Sequence, residues 1–245
     1  MCGRYTLIRL ADFTDMFPWI RPPQGSPPGA RFNIAPTQPV AVVPNDGRNE
    51  VEFFRWGLVP SWAKDPSIGS RLINARREGI AEKPAFRAAF KRRRCLIPAS
   101  GFYEWKKNPD GKSKTPMYIR MKDSRPFAFA GLWEVWRSPD GSELSTCTII
   151  TGPPNRLVQT IHDRMAVILR PGDYQAWIDP VERPADSLTA LLEPFPAELM
   201  EAFPVSRAVN SPGNDGAALI EPAAGADPPA APRRRSKPDD SPGLF

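Results

Sequence analysis

Short stretches in which apolar residues alternate with polar ones, or run together, dominate the middle of the chain, and this pattern is typical of β-strands. Six stretches predict strands, at residues 39–43, 51–56, 102–106, 117–121, 127–135 and 144–151. Two of the gaps between them carry turn sequences, Asn-Pro-Asp-Gly at 108–111 and Ser-Pro-Asp-Gly at 138–141. Because these turns separate neighbouring strand-like runs, they predict two β-hairpins.

Helical periodicity is confined to a few short segments, at residues 10–16, 85–93, 156–161, 173–178 and 187–192. The strands cluster instead of alternating regularly with these helices. The pattern therefore predicts an α+β fold, a single domain with a mainly antiparallel, barrel-like β-sheet core and flanking helices. A doubly wound parallel sheet fits the order of elements less well.

The two ends of the chain differ in composition from its body. We expect one folded domain over residues 2–222. Residues 223–245 are rich in Ala and Pro and include the run Arg233-Arg234-Arg235. Such a composition buries too little apolar surface to fold, so it predicts a disordered tail.

Charge and cysteine content narrow the classes of partner. The 245 residues carry a net charge of +6, which favours an anionic partner such as nucleic acid. One His and three Cys without a Cys-x-x-Cys pair argue against a zinc site, and we expect no metal or cofactor. Cys95 and Cys147 stand in apolar runs and are predicted core residues. Without a signal-peptide pattern or a membrane-spanning run, we expect a cytoplasmic, nucleoid-associated protein without membrane contact, and nothing in the pattern suggests more than a monomer.

The most unusual candidate for chemistry is the second residue. The chain begins Met1-Cys2-Gly3-Arg4, and removal of the initiator Met leaves Cys2 with an α-amine and a thiol on adjacent carbons. These groups titrate near ~7.7–8.0 and ~8.5, so both have a reactive fraction at neutral pH. An aldehyde would form a Schiff base with the amine, which the sulfur then closes to a five-membered ring. The alternative is an incidental Cys in a frayed terminus.

Two further residues are candidates for proton transfer. His162 is the only imidazole in the chain and stands at the predicted end of a helix. Glu104 lies in Phe102-Tyr103-Glu104-Trp105, where burial among rings would raise its pKa. Taken alone, a structural or surface histidine and a solvent-facing strand glutamate explain these residues as well.

Cations and aromatic residues occur together in the sequence. Asn74, Arg76 and Arg77 lie close to one another, and Trp56 and Trp62 lie just upstream. A second basic cluster spans residues 87–94. Cations that hold phosphates and rings that stack on bases suit single-stranded nucleic acid, with about 1–3 kcal/mol for each stacked base. A solvated basic face above core tryptophans is the competing interpretation.

These segments, taken in order, resemble the SOS-response-associated peptidase family, proteins that shield abasic sites in single-stranded DNA by covalent attachment. The resemblance covers residues 2 to about 222. It rests on Met1-Cys2-Gly3-Arg4-Tyr5, Phe32-Asn33-Ile34-Ala35-Pro36-Thr37, Trp56-Gly57-Leu58-Val59-Pro60-Ser61-Trp62, Asn74-Ala75-Arg76, the run from Cys95 to Trp105, Phe129-Ala130-Gly131-Leu132-Trp133, His162-Asp163-Arg164-Met165 and Val209-Asn210 followed by Asn214-Asp215.

The resemblance implies roles for particular residues. It implies that the catalytic residues are Cys2, Asn74, Glu104 and His162, and that the DNA-contacting residues are Arg4, Trp62, Arg76, Thr151 and Arg164. The chain departs from the family pattern at Ala166, at Gly79 and at Gly152-Pro153-Pro154, which adjoins Thr151.

The implied function is covalent attachment of Cys2 to a ring-opened abasic site through a thiazolidine, a link that the same groups can reverse, together with self-processing of Met1. That chemistry requires an accessible Cys2 close to His162. Two alternatives stay open. The protein is a thiol peptidase with Cys2 as nucleophile and His162 as base, or it binds single-stranded DNA without a covalent step.

Overall fold

Residues 2–25 and 28–223 are described by a computed structural model of the chain. The predicted tail, 223–245, lies outside the described residues except for Ala223. The strands are β1 (Tyr5–Leu7), β2 (Arg31–Ile34), β3 (Pro39–Pro44), β4 (Glu52–Trp56), β5 (Asn74–Arg76), β6 (Arg94–Ala99), β7 (Gly101–Lys107), β8 (Lys114–Met121), β9 (Phe127–Arg137), β10 (Glu143–Gly152), β11 (Met165–Ala166) and β12 (Met200–Pro204). The α-helices are α1 (Leu10–Met16), α2 (Arg87–Arg92), α3 (Arg156–Gln159), α4 (Tyr174–Trp177) and α5 (Ala185–Thr189).

Five strands close into a barrel. They pair in the order β10-β4-β3-β6-β9, and β9 also pairs with β10, which completes the ring. The pairing of β4 with β10 is parallel, and the others in the ring are antiparallel. The end of β10 runs beyond the ring, where it pairs with β5 on one side and with β11 on the other.

The remaining strands form a second, antiparallel sheet in the order β12-β8-β7-β1-β2. Tyr5 connects it to the barrel, because its ring packs edge-on against Trp56 of β4 and Phe129 of β9. Cys95 and Cys147 are fully buried within the same hydrophobic core. The predicted α+β fold with a mainly antiparallel, barrel-like core is confirmed.

The six predicted strands and both hairpins are confirmed. The turn at 108–111 joins β7 to β8, and the turn at 138–141 joins β9 to β10. Gly111 and Gly141 take φ angles of +66° and +86°, which residues with a side chain rarely adopt. No helix among residues 2–25 and 28–223 is both long and apolar enough to cross a bilayer.

The other six strands were not predicted, and two physical reasons account for four of them. Strands β1, β5 and β11 have two or three residues, too few to show any alternation, and they exist because longer neighbours pair with them. Strand β6 is buried along its whole length and contains Pro98, a residue that argues against a strand in sequence. Helix α1 has the predicted bounds, whereas the other α-helices are shorter than predicted, and α2, for example, covers only Arg87–Arg92 of the segment 85–93.

Candidate active site at the junction of the two sheets

Cys2 and Asn74 are brought together from two different parts of the fold. Cys2 lies three residues before β1 of the antiparallel sheet, whereas Asn74 is the first residue of β5 at the end of the barrel. The Asn74 Nδ2 group donates a hydrogen bond of 2.9 Å to the main-chain oxygen of Cys2. The Asn74 Oδ1 atom is buried and accepts no hydrogen bond from any described residue. Asn74 therefore holds the main chain at Cys2 through its Nδ2 group, and its Oδ1 atom can still accept a hydrogen bond.

Glu104 is placed beside the same segment by the register of β1 and β7. Tyr5 lies opposite Phe102, and the Tyr103 N–H donates to the Arg4 oxygen at 3.0 Å, so the next residue of β7 lies beside the chain just after Cys2. Because side chains alternate along a strand, Glu104 points to the same side as the buried Phe102. Glu104 is only 2% exposed. Burial, with a smaller contribution from Asp163, raises the pKa of Glu104 to about 7.

The thiol of Cys2 is completely buried, and its Sγ lies 3.9 Å from the Arg4 oxygen. Burial, and next the negative charge of Glu104, raise the pKa of the Cys2 thiol well above its ordinary value. The expectation of an accessible Cys2 is therefore wrong for the chain that still begins at Met1. The physical reason is that β1 pairs on both sides, with β7 and with β2, and this draws the residues before it into the core.

His162 follows α3 in a turn that its own hydrogen bonds close. Its N–H donates to the Val158 oxygen at 2.8 Å, and its Nδ1 accepts from the Arg164 N–H at 3.0 Å. Nδ1 also lies 2.8 Å from an Asp163 carboxylate oxygen, a contact that would require a proton on Nδ1. The Arg164 N–H always carries a proton, whereas the Asp163 side chain is 88% exposed and can turn away into water. We therefore take Nδ1 of His162 as the unprotonated acceptor of the Arg164 N–H. Burial lowers the pKa of His162, which is therefore neutral with its proton on Nε2.

Two cavities meet at Arg76 and contain most of the predicted DNA-contacting side chains. The larger, about 790 Å³, is lined by Arg76, Trp105, Lys106, Lys107, Lys114, Pro154, Gln159, Thr160, Ile161, His162, Asp163 and Arg164. The smaller, about 530 Å³, is lined by Trp62, Arg71, Leu72, Asn74, Arg76, Lys83, Pro84, Ala85 and Phe86. Trp62 is 60% exposed, and Arg76 is exposed as well. Both cavities thus combine cations with ring or aliphatic surface.

Arg4 and Thr151 are placed differently from those residues. The Arg4 guanidinium donates to Asn33 Oδ1 at 2.9 Å and to the Val209 oxygen at 2.6 Å, so it ties the start of the chain to its last described segments. Thr151 is fully buried, and its main-chain oxygen accepts from Arg164 at 2.8 Å. Their side chains contribute internal hydrogen bonds and do not line either cavity.

The basic cluster at 87–94 does not form one phosphate-facing surface. Arg94 is fully buried, and its guanidinium donates to main-chain oxygens that include those of Trp177 and Asp179. Arg92 and Arg93 pair with the carboxylates of Glu182 and Glu134. The interpretation of Arg94 and of Trp56 as nucleic-acid contacts is therefore wrong, because both are fully buried. Hydrophobic and polar spacing gave no signal that an arginine would be enclosed by carbonyl groups.

The cavities also contain residues that sequence reasoning missed. Lys106, Lys107 and Lys114 flank the predicted hairpin at 108–111, and the only signal was that three lysines bracket one turn. Lys83 reaches the smaller cavity from a loop. Glu78, which follows Arg77 directly in the sequence, pairs with Arg164 at 2.9 Å.

The fold and the site together define a β-barrel protein whose candidate reactive groups come from its N-terminal segment and from both sheets. The chain belongs to the SOS response associated peptidase (SRAP) family, whose model matches residues 1–212. The resemblance inferred from the motifs is confirmed.

Individual relatives agree with this assignment. The abasic site processing protein YoqW of Bacillus subtilis is 48% identical over 225 residues, which cover 90% of this chain and 99% of YoqW. The abasic site processing protein YedK of Escherichia coli is 31% identical over 233 residues, which cover 91% of this chain and 100% of YedK. A crystal structure of a Bacteroides thetaiotaomicron protein matches with a TM-score of 0.80 at 26% identity, over 91% of this chain and 100% of that one.

Proposed function

We propose that this protein processes abasic sites in single-stranded DNA by joining Cys2 covalently to the ring-opened deoxyribose. The observation that carries the proposal is the Asn74 amide, which holds the Cys2 main chain at 2.9 Å beside a buried carboxyl group whose pKa is about 7. A held N-terminal cysteine beside a proton-transfer group is what thiazolidine formation requires. Membership of a family that includes abasic site processing proteins supports the substrate.

Removal of Met1 is the first step in this proposal. In the full chain the Cys2 nitrogen is an amide and has no nucleophilic lone pair. Hydrolysis of the Met1–Cys2 bond turns it into an α-amine with a pKa near ~7.7–8.0, of which a useful fraction is neutral at physiological pH. It also makes Cys2, which is buried in the chain that still begins at Met1, the first residue. We assign to this cleavage the peptide hydrolysis that the family name denotes.

The order of the following steps is set by the ring that forms, because the sulfur can close the five-membered ring only after the amine has made an imine. The neutral amine attacks the aldehyde carbon first and gives a carbinolamine, which loses water to form an imine. The thiol then adds to the imine carbon, while the Glu104 carboxylate takes the thiol proton and delivers it to the imine nitrogen, which becomes the N–H of the thiazolidine ring. With a pKa of about 7, Glu104 is present in both protonation states at neutral pH. Ring closure is intramolecular, with an effective molarity that reaches ~10⁵ M or more in well-oriented systems.

His162 and Asn74 act on the sugar before and during the attack. An abasic deoxyribose is mostly a closed hemiacetal, and only its open form presents the aldehyde. The Nε2–H of neutral His162 donates to the ring oxygen as the ring opens, since its Nδ1 is already occupied by the Arg164 N–H at 3.0 Å. The buried Asn74 Oδ1 accepts from a hydroxyl of the opened sugar. The same groups release the link when they act in reverse.

The two cavities provide the path for the strand. Arg76 lines both cavities, which supports a role for it in binding the phosphate at the lesion, with neighbouring nucleotides on either side. Exposed Trp62 offers a stacking surface in the smaller cavity, and Lys106, Lys107 and Lys114 offer cations in the larger one. Single-stranded DNA is favoured because no base pair has to be broken to bring the sugar into the site.

Intact-mass measurement tests the proposal. Protein that lacks Met1 is incubated with an oligonucleotide that carries one abasic site, and the expected adduct has the summed mass less one water and survives a denaturing gel. An intact oligonucleotide is the control substrate and gives no adduct. Cys2→Ala should form no stable adduct, and Cys2→Ser should form at most a labile imine that borohydride traps. The proposal is wrong if Cys2→Ala forms the stable adduct as well as the wild type does.

A further inference from the structure

Arg164 is held by the carboxylate of Glu78. Its Nη2 donates to Glu78 Oε2 at 2.9 Å, and its Nη1 donates to Glu78 Oε1 at 3.4 Å. The Arg164 side chain is 16% exposed and that of Glu78 is 52% exposed. Although burial favours the neutral acid, the hydrogen bond from Arg164 leaves the pKa of Glu78 below its ordinary value. The carboxylate is therefore ionised at neutral pH and faces a mostly buried cation.

The same arginine is connected to the reaction site through its main chain. The Arg164 N–H donates to Nδ1 of His162 at 3.0 Å. Its guanidinium also donates to the Thr151 oxygen at 2.8 Å, at the end of β10. The Arg77 N–H donates to that Thr151 oxygen at 2.8 Å as well, which fixes the segment that carries Glu78. A continuous set of contacts thus runs from Glu78 through Arg164 to the imidazole.

We propose that Glu78 is a positioning residue that acts through Arg164 to hold His162 with its Nδ1 occupied and its Nε2–H directed to the sugar. The kinetic test of this inference rests on the proposed function, because it measures adduct formation, whereas the test of the histidine tautomer does not. Loss of the carboxylate leaves the Arg164 guanidinium without this anionic partner, and a charged side chain in that situation turns toward water. Movement of the Arg164 side chain shifts the main chain of the turn 162–164, and the hydrogen bond from the Arg164 N–H to Nδ1 of His162 then breaks.

Charge competition makes a different prediction about Glu78. If the carboxylate only neutralised Arg164 in front of a DNA phosphate, its removal would strengthen DNA binding, increase the salt dependence of binding and leave the chemical step unchanged. If Glu78 instead positions His162, removal of the carboxylate should slow the chemical step and leave DNA binding unchanged. The orientation of the Arg164 main chain toward His162 favours positioning.

The lone histidine allows a direct test of the first part. Because the chain has one His, untagged protein labelled with ¹⁵N gives a single imidazole spectrum. Wild-type protein should show one neutral tautomer, with the proton on Nε2. In Glu78→Gln a second tautomer should appear, and hydrogen exchange of the Arg164 amide should speed up about 10-fold as its bond to Nδ1 opens. Glu193→Gln is the matched control, since it removes a 60% exposed carboxylate 3.3 Å from the neighbouring Arg77 and should change neither signal.

Single-turnover kinetics test the second part. At saturating abasic oligonucleotide, Glu78→Gln should form the adduct about 10-fold more slowly than wild type, while the Kd for an intact strand stays within about twofold. Arg164→Lys, which loses the two-pronged contact with the carboxylate, should show the same change of tautomer, and the double variant should show no further change.

Each part has an outcome that overturns the inference. A wild-type tautomer and wild-type Arg164 exchange in Glu78→Gln would do so, and so would tighter DNA binding at an unchanged rate. A wild-type protein that forms no adduct would instead contradict the proposed function, and the tautomer and exchange measurements would still decide the role of Glu78.

Discussion

The side-chain amide of Asn74 donates to the main-chain oxygen of Cys2 at 2.9 Å, and this bond spans the junction between the barrel and the second sheet. Asn74 stands at the start of β5, which exists only because it pairs with the end of β10. The position of the N-terminal cysteine therefore depends on a strand of three residues that belongs to the other sheet.

Asn74→Ala should slow adduct formation by about 10- to 100-fold, because the Cys2 main chain loses its anchor and a displacement near 1 Å is costly for a reaction that depends on orientation. The measurement is single-turnover kinetics on denaturing gels. Asn214→Ala is the control, since it also removes an amide that donates to a main-chain oxygen, that of Ala208 at 2.8 Å, on an exposed part of the chain. An Asn74→Ala rate equal to that of the control would contradict the assigned role.

Glu104→Gln should change the pH dependence of adduct formation. The ionised carboxylate is the form that accepts the thiol proton, and its pKa is about 7. The ratio of the wild-type rate to the variant rate should therefore rise as the pH increases through about 7 and level off above it. Taking the ratio cancels the titration of the Cys2 amine, which both proteins share. A ratio that is flat between pH 5.5 and 8.5, a range of about 3 units centred on this pKa, would remove Glu104 from the proton transfer.

The same substitution has an independent consequence for stability. The pKa of Glu104 is raised from 4.5 in the unfolded chain to about 7 in the folded protein, so the folded state holds a proton that the unfolded state has lost. Wild-type stability should fall relative to Glu104→Gln as the pH rises from 4.5 to about 7, by a total of about 3 kcal/mol, and stay constant above that. Urea unfolding at a series of pH values measures the difference, and parallel stability curves would contradict the burial of an ionisable Glu104.

Trp62→Ala should weaken binding of an intact single strand and leave the fold unchanged. The indole is 60% exposed at the smaller cavity, and loss of one stacked base costs about 1–3 kcal/mol. Fluorescence anisotropy with a labelled oligonucleotide measures the Kd. Phe53→Ala is the control, because Phe53 is an exposed ring, 39% accessible, that lines neither cavity. Equal affinities for the two variants would argue against stacking on Trp62.

Arg94→Met should destabilise the protein although Arg94 touches neither cavity. Its guanidinium supplies donors to buried carbonyl groups, including those of Trp177 at 2.8 Å and Asp179 at 2.6 Å, and the substitution leaves them unsatisfied. We expect a loss of about 3–5 kcal/mol and a fall in Tm of roughly 10 °C. In the exposed control Arg92→Met, the change should stay within about 0.5 kcal/mol. Calorimetry compares the two, and equal Tm values would show that the buried hydrogen bonds of Arg94 contribute little.

Local sequence was informative where the signal lies within a few adjacent residues. The long strands β9 and β10 and their connecting turn follow from alternation and from a glycine that tolerates positive φ. The motifs around Cys2 and Glu104 indicated the family because their order is fixed along the chain. Arg94 shows the limit, since a run of basic residues looks like a solvated surface until neighbouring segments enclose one of them.

By itself, the sequence determined the α+β class, the family and the identities of the candidate reactive groups, because these depend on composition, periodicity and motif order. Tertiary structure alone decided that Cys2 is buried, that Asn74 anchors it and that Glu78 reaches His162 through Arg164. Those relationships join residues separated by 72 and 86 positions, and the pairing of β5 and β11 with the end of β10 is what brings them within hydrogen-bonding distance. Short strands of this kind have no periodic signature, so their pairing, and the site that it builds, exists only in the folded protein.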